Sequence, residues 1–212
     1  MQYFKTFISQ LKKQLNGSSL PGQNAQLAMA PITRLEELKR TQSDRLPKQS
    51  AVLVLFYPAD SETKLVFIKR PVDDTIHSGQ IAFPGGRVEP DDRDIIHTAL
   101  REANEEVNID PSEVTVLGAL SKLHIPPSNF DVYPIVGHTI RRPQLNGNYE
   151  VDKILEIGLN ELLHPETKTT KTIHHRLGKL VDVPCYYVEG EVIWGATAMM
   201  VSELIQLIRA IK

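Results

Sequence analysis

Cysteine is almost missing from this 212-residue chain: Cys185 stands alone. No intrachain disulfide can form, so a reducing compartment such as the cytoplasm is expected. Long hydrophobic runs are missing too. None approaches the ~20 apolar residues that carry a helix across a bilayer, which argues against a membrane span. The opening stretch, MQYFKTFISQLKKQLNG, lacks the unbroken apolar core and small-residue cleavage site of a secretory signal. Neither sign of charge dominates. Lys and Arg number 24 against 26 Asp and Glu, and the formal net charge of −2 gives no general attraction to nucleic acid. Internal repeats and low-complexity tracts are absent. What is present, 41% hydrophobic and 24% charged residues, is the make-up of an ordinary globular protein with a sizeable core, in one domain or at most two.

The chain is organised around Ser78–Ile109. Its centre, Arg101-Glu102-Ala103-Asn104-Glu105-Glu106, sets three carboxylates at i, i+3 and i+4 of a periodic helix. At roughly 100° per residue, Ile95, Ile96, Ala99, Leu100, Ala103 and Val107 fall within an apolar arc about 140° wide. Glu105 lies outside the arc, Glu102 near its edge and Glu106 within it. A solvated acidic face accounts for Glu105 but not for Glu106, because a bare charge on a core-facing side is costly to desolvate. Just before the helix, Phe83-Pro84-Gly85-Gly86 turns the chain or lets another group approach its backbone closely. Asp91, Asp92 and Asp94 gather where a helix N-terminus favours acids. Backbone carbonyls and carboxylates converging there suit a hard divalent cation such as Mg²⁺.

These residues resemble the Nudix hydrolases, whose box reads G-x5-E-x7-R-E-U-x-E-E-x-G-U with U aliphatic. Gly86, Arg101, Glu102, Glu105, Glu106 and Ile109 match it. Asp92 stands for the first glutamate with one extra residue before Arg101, Ala103 replaces a larger aliphatic, and Asn108 replaces the second glycine. Asn also tolerates the left-handed conformation that ends a helix. The run His77-Ser78-Gly79-Gln80-Ile81-Ala82-Phe83-Pro84-Gly85-Gly86 is similar to the signature preceding the box in the coenzyme A pyrophosphatase branch. The aspartate at 92 and the stretched spacing agree with that branch.

The resemblance implies an α/β fold, the Nudix α/β/α sandwich with a mixed sheet, over residues 46–212, with 1–45 as a helical extension. It implies Mg²⁺- or Mn²⁺-dependent hydrolysis of coenzyme A or its thioesters to 3′,5′-ADP and 4′-phosphopantetheine or its acyl derivative. A broader ADP-ribose, NADH or nucleotide pyrophosphatase and a non-catalytic nucleotide-binding domain are the alternatives. Glu102, Glu106 and Glu105 are the implied metal ligands, with a carbonyl from Gly86 or Gly85. Glu105 and Glu106 also belong to the catalytic set. Arg101 is placed to hold Glu105 at i+4. Glu150, with Asp152 close behind, is the candidate for a further acid and general base from a later loop. Arg70, His77 and Gln80 are the expected substrate contacts, joined by Ser128 and Asn129; Arg70, Arg141 and Arg142 compete for a 3′-phosphate. The expected partner is a small nucleotide diphosphate, with neither nucleic acid nor a membrane span, and a homodimer is allowed.

Elsewhere, Phe4, Phe7, Ile8, Leu11 and Leu15 recur at helical spacing with lysines between them, which predicts a helix packed on its own domain or a partner, or lying on a membrane surface. A short helix is expected over 33–41. Strands are expected at Ala51–Tyr57, Leu65–Lys69, Val114–Leu123 and Val132–Ile140, with another opening at Asn148–Asp152. A short helix near Asn160–Leu163, a hairpin around Gly190 and a terminal helix from Gly195 complete the chain. His174 and His175 read as surface.

Overall fold

Two strands that part company make room for the glycine pair. In the computed structural model β1 (Lys48–Ala59) and β2 (Glu62–Lys69) pair only near their shared turn, from Phe56↔Leu65 to Ala59↔Glu62. Further back β1 pairs instead with β4 (Gly85–Arg87) and β2 with β3 (Ile81–Ala82). The Phe83–Gly86 segment therefore fills the fork, tied in by Leu53 N–H donating to the Pro84 carbonyl at 2.8 Å. The structure describes residues 2–17, 19–32, 46–73, 77–174 and 180–211. The helix expected over 33–41 and His175 lie outside the described residues.

After the helix α3 (Ile95–Val107) come β5 (Thr115–Ala119), β6 (Leu123–Ile125) and β7 (Phe130–His138), and β7 runs parallel to β1 from Lys48↔Phe130 to Phe56↔His138. The other described pairings, including β8 (Lys153–Gly158) on β2, are antiparallel, so the sheet is mixed. Ala51, Leu53, Leu55 and Tyr57 pack with Ala99, Ala103 and Val107 of α3. The alternate residues Val54 and Phe56 face the other core, shared with α1 (Gln2–Leu15) and α5 (Gly195–Arg209). Burial on both faces is why this stretch reads as a continuous apolar run.

The apolar stripe of α1 packs on its own chain: Phe4, Phe7, Ile8, Leu11 and Leu15 are buried, and Phe7 meets Phe56 edge-on at 5.5 Å. The short α2 (Gly22–Leu27) is held by Glu203 of α5, fully buried, which accepts hydrogen bonds from Gly22 N–H (3.1 Å) and Gln26 Nε2 (2.9 Å). Ser121 N–H also donates to Glu203, at 3.1 Å. That bond draws the chain out of the sheet, so the single strand expected over Val114–Leu123 is two, β5 and β6. The strand expected to open at Asn148 begins at Lys153 instead, because Asn148 Oδ1 accepts the Glu150 N–H at 2.8 Å and makes a turn. Ile96, expected on the apolar arc, is 41% exposed.

A second sheet, unexpected in its first strand, comprises β9 (Lys168–His174), β10 (Leu180–Val188) and β11 (Glu191–Trp194), after the short α4 (Leu159–Leu163). β9 escaped notice because its sequence, KTTKTIH, is polar. Among the described residues no helix is long and apolar enough to cross a membrane.

Candidate active site

The helix that carries the carboxylates is firmly bounded. Asp94 caps its start by accepting His97 N–H at 2.7 Å, and Asn108 ends it in the left-handed conformation, φ 60°. Gly85 and Gly86 lie against one side of it. A Cβ on Gly85 would strike the Ala51 carbonyl and Val52 backbone; one on Gly86 would overlap the Glu102 carboxylate. The absence of side chains is what lets β4 reach the acidic face.

Glu106 is 2% exposed and accepts the Gly85 N–H on Oε2 at 2.8 Å. Burial raises its pKa from 4.5 to about 7; Gly85 and the positive charge of Arg70 oppose the rise, while Glu102 and Glu150 add to it. Burial also raises Glu102, against the pull of Arg101. Glu105 is the most open of the three, its side chain 54% exposed.

Arg101 makes the expected contact to Glu105, Nη1 to Oε2 at 3.0 Å. Its stronger attachment is to Asp92, through Nε at 2.9 Å and Nη2 at 3.1 Å. The Asp92 side chain is 1% exposed and also accepts from Glu89 N–H and the Thr98 hydroxyl. Hydrogen bonding from Arg101, more than any other cause, holds its pKa well below the usual carboxylate range. Arg101 Nη2 further reaches the Arg87 carbonyl at 3.1 Å and Glu102 at 3.0 Å, so one guanidinium joins β4 to two of the glutamates. This clamp was not legible beforehand, because Asp92 precedes the helix and shares no helical spacing with Arg101.

Gly85 and Gly86 also line a cleft of about 840 Å³ bordered by both sheets. Arg70, His77, Gln80 and Ser128 line it with them, and His77 Nδ1 lies 3.2 Å from Gln80 Oε1. Glu102, Glu105 and Glu106 are not among its lining residues: Glu102 lies against Gly86, Glu106 accepts from Gly85, and Glu105 faces Arg101. Asn129 is not brought to the cleft. It ends a 3₁₀ turn at φ 52°, and its amide donates to the Leu46 carbonyl at 3.4 Å. Arg141 is paired with Glu113, and Arg142 with Glu156 at 2.6 Å, leaving Arg70 as the arginine of that trio lining the cleft. Glu150 is exposed in the turn after Asn148, whose N–H donates to the Glu106 carbonyl at 3.0 Å. Its charge acts on both Glu102 and Glu106. Asp152 is exposed and donates its N–H to the Lys69 carbonyl at 2.9 Å.

Among the described residues, no three His, Cys, Asp or Glu groups form a ready-made cation cage. The donors are nonetheless of one kind. Glu102, Glu106 and the Gly86 carbonyl are hard oxygens, and Glu106 is a buried carboxylate whose pKa burial raises despite the opposing charge of Arg70. Such a set fits a cation that keeps several waters and shares itself with substrate phosphates.

The NUDIX domain matches residues 47–171, which include the glycine pair and the whole of α3. The chain belongs to the Nudix family. Nudix hydrolases act on diphosphate bonds of small nucleotide-linked molecules and generally use divalent cations, and this chain is such a hydrolase. An uncharacterized Nudix hydrolase, NudL, of Photorhabdus laumondii is 39% identical over 146 residues, 68% of this chain and 77% of the relative. The NudL of Yersinia pestis is 44% identical over 131 residues, 61% of this chain, and the match spans 65% of the relative's length. Among solved structures, the Nudix hydrolase RenU from M. smegmatis superposes with a TM-score of 0.55 at 12% identity, covering 87% of this chain and 95% of RenU. A MutT protein from Methanosarcina mazei Go1 gives 0.53 at 14%, covering 80% and 99%. These likenesses bear on the fold, a Nudix mixed sheet with helices.

Proposed function

We propose that this Nudix hydrolase cleaves the diphosphate of coenzyme A or its thioesters, releasing 3′,5′-ADP and 4′-phosphopantetheine or its acyl form. One observation carries the reading: the Arg70–His77–Gln80 group and the glycine pair of β4, which packs on the carboxylate helix, border a single cleft. In this reading Arg70 supplies a positive charge and His77 and Gln80 supply hydrogen-bonding groups to a substrate with an additional phosphate and polar groups.

Glu102 and Glu106, with the Gly86 carbonyl, are the residues that would hold Mg²⁺ or Mn²⁺; Glu105 would hold a second ion or orient the attacking water. A bound divalent cation neutralises diphosphate charge and lowers the pKa of coordinated water. Arg101, anchored by Asp92, fixes Glu105 and Glu102 without touching substrate. Glu150 is the candidate base, Arg70 the 3′-phosphate contact, and Ser128 rather than Asn129 the contact from the turn before β7. A cytoplasmic setting and a homodimer belong to the same proposal; sedimentation of the purified chain reads the latter.

The test is turnover of coenzyme A, an acyl thioester, ADP-ribose, NADH and nucleoside triphosphates with Mg²⁺ or Mn²⁺, with products identified. Preferential release of 3′,5′-ADP supports the reading. Equal or better turnover of ADP-ribose or NADH overturns it in favour of a broader pyrophosphatase.

A further inference from the structure

Glu203 of α5 is completely buried and is not itself among the residues that line the cleft. Both of its oxygens accept. Oε1 takes the N–H of Gly22 and of Ser121, each at 3.1 Å, and Oε2 takes Gln26 Nε2 at 2.9 Å. Burying a carboxyl group is costly even when it is hydrogen-bonded, and an apolar side chain would fill the same space at less cost. An apolar side chain cannot fix direction, however. Here donors from two distant segments meet α5 in one geometry.

Each segment held in this way runs on into the cleft. Gly22 and Gln26 belong to α2, whose end turns through Met29 N–H to the Gln26 carbonyl and Ala30 N–H to the Leu27 carbonyl, both at 3.1 Å. Pro31 follows, in the cleft lining. Ser202 Oγ donates to the Ala25 carbonyl at 2.7 Å, so α2 is tied to α5 a second time. Gln26 Nε2 also donates to the Ser121 carbonyl at 3.0 Å, which joins the two segments to each other. Ser121 leads into β6 and then to Pro127 and Ser128, again in the lining. α5 itself contributes Ala196 and Met199; with Glu203 these fall at i, i+3 and i+7, one stripe of the helix. Glu203 stands one turn beyond the lining, where three stretches of its wall are joined.

We infer that Glu203 is a positioning residue for substrate binding, and that the N-terminal segment ending at Pro31 is part of the substrate site rather than an appended extension. This assignment rests on the cleft being where the diphosphate substrate binds, as read above, and not on which diphosphate it is. The Glu203 network shares no residue with the Asp92–Arg101 clamp or the Gly85–Glu106 bond. Loosening it is therefore expected to weaken substrate binding while the chemical step is retained.

Steady-state kinetics of two variants of the full chain test it. Glu203→Gln keeps the shape but turns one acceptor into a donor facing the Gln26 amide. Gln26→Met removes that amide at similar length and leaves Glu203 its two backbone donors, so it serves if the first variant fails to fold. In both, KM for coenzyme A is expected to rise about ten-fold, roughly the loss of one well-placed contact, with kcat within about two-fold of wild type. Titrating the emission of Trp194, the sole tryptophan and a cleft residue, with coenzyme A in the absence of metal reads binding without turnover. Its midpoint is expected to shift by the same factor. A lower unfolding midpoint and lower kcat with KM and the titration unchanged make Glu203 merely structural and overturn the assignment. If ADP-ribose is turned over as well as coenzyme A, the substrate reading alone fails, and the same comparison on ADP-ribose decides the role of Glu203. If neither compound alters Trp194 emission in the wild type, the cleft is not the binding site and the assignment falls with it.

Discussion

The Gly85 N–H donates to Glu106 Oε2 at 2.8 Å across 21 residues of sequence. This bond joins the fork between β1 and β2 to the buried edge of α3. Burial raises the pKa of this carboxylate, and the Gly85 hydrogen bond and the charge of Arg70 offset only part of the rise.

The two glycines are predicted to fail differently. Gly85→Ala drives a methyl into backbone of β1, which cannot yield cheaply, and is expected to lower stability by ~3 kcal/mol or more. Gly86→Ala meets the end of a glutamate side chain, which can swing aside. It is expected to leave the unfolding midpoint within a few degrees of wild type while turnover drops by ~10²-fold, the usual consequence of misplacing a reacting group by about an ångström. Thermal unfolding and kcat on the same samples separate the two.

Metal-free protein is predicted to lose stability as pH rises from about 4.5 to about 7. Glu106 has its pKa raised on folding, so between those values the folded state binds the proton more tightly than the unfolded chain does. Stability is therefore full below 4.5 and falls through 7, by up to ~3 kcal/mol for a shift of this size. Glu106→Gln should flatten that slope, and saturating Mg²⁺ should reduce it by supplying a counter-charge. Denaturant midpoints against pH measure both, and an unchanged slope in the variant counts against Glu106 as its source.

Glu106→Gln is also expected to abolish hydrolysis with the fold retained. Near-wild-type turnover would remove Glu106 from the mechanism.

Asp92→Asn is predicted to destabilise by ~3 kcal/mol, because it leaves the Arg101 guanidinium without its main partner in a nearly buried position. Arg101→Ala in the Asp92→Asn background should add little, since the two act as one unit. Additive losses in a double-mutant cycle would show the clamp to be incidental.

His77→Ala is predicted to lower kcat/KM for coenzyme A about ten-fold more than for ADP-ribose, about the discrimination carried by one hydrogen-bonding group. Equal loss on every diphosphate assigns His77 to the structure of its turn.

Much of the fold was legible because both cores leave simple traces. The apolar stripe of α3 shows at period 3.6, and β1 shows as an unbroken apolar run because both of its faces are covered. The boundaries that moved did so for reasons not written locally. The strand expected over Val114–Leu123 breaks because Glu203, 82 residues away, takes the Ser121 N–H. β9 was hidden by its polar sequence, and Ile96 lies where its helix has left the core.

Within the candidate site the sequence by itself determined the directions of the carboxylates. Helical spacing put Glu106 toward the core and Glu105 toward water, and the glycine pair announced a close backbone approach, because side-chain direction and backbone permissiveness are local properties. Only the tertiary structure decided the partners. It attached Arg101 to Asp92, left Asn129 out of the cleft lining, paired Arg141 and Arg142 elsewhere, and brought Ile173, Val181 and Val183 of the second sheet to the cleft that Arg70 lines. Those choices depend on which distant strands and loops pack together, and burial across the whole chain, rather than spacing along it, governs that.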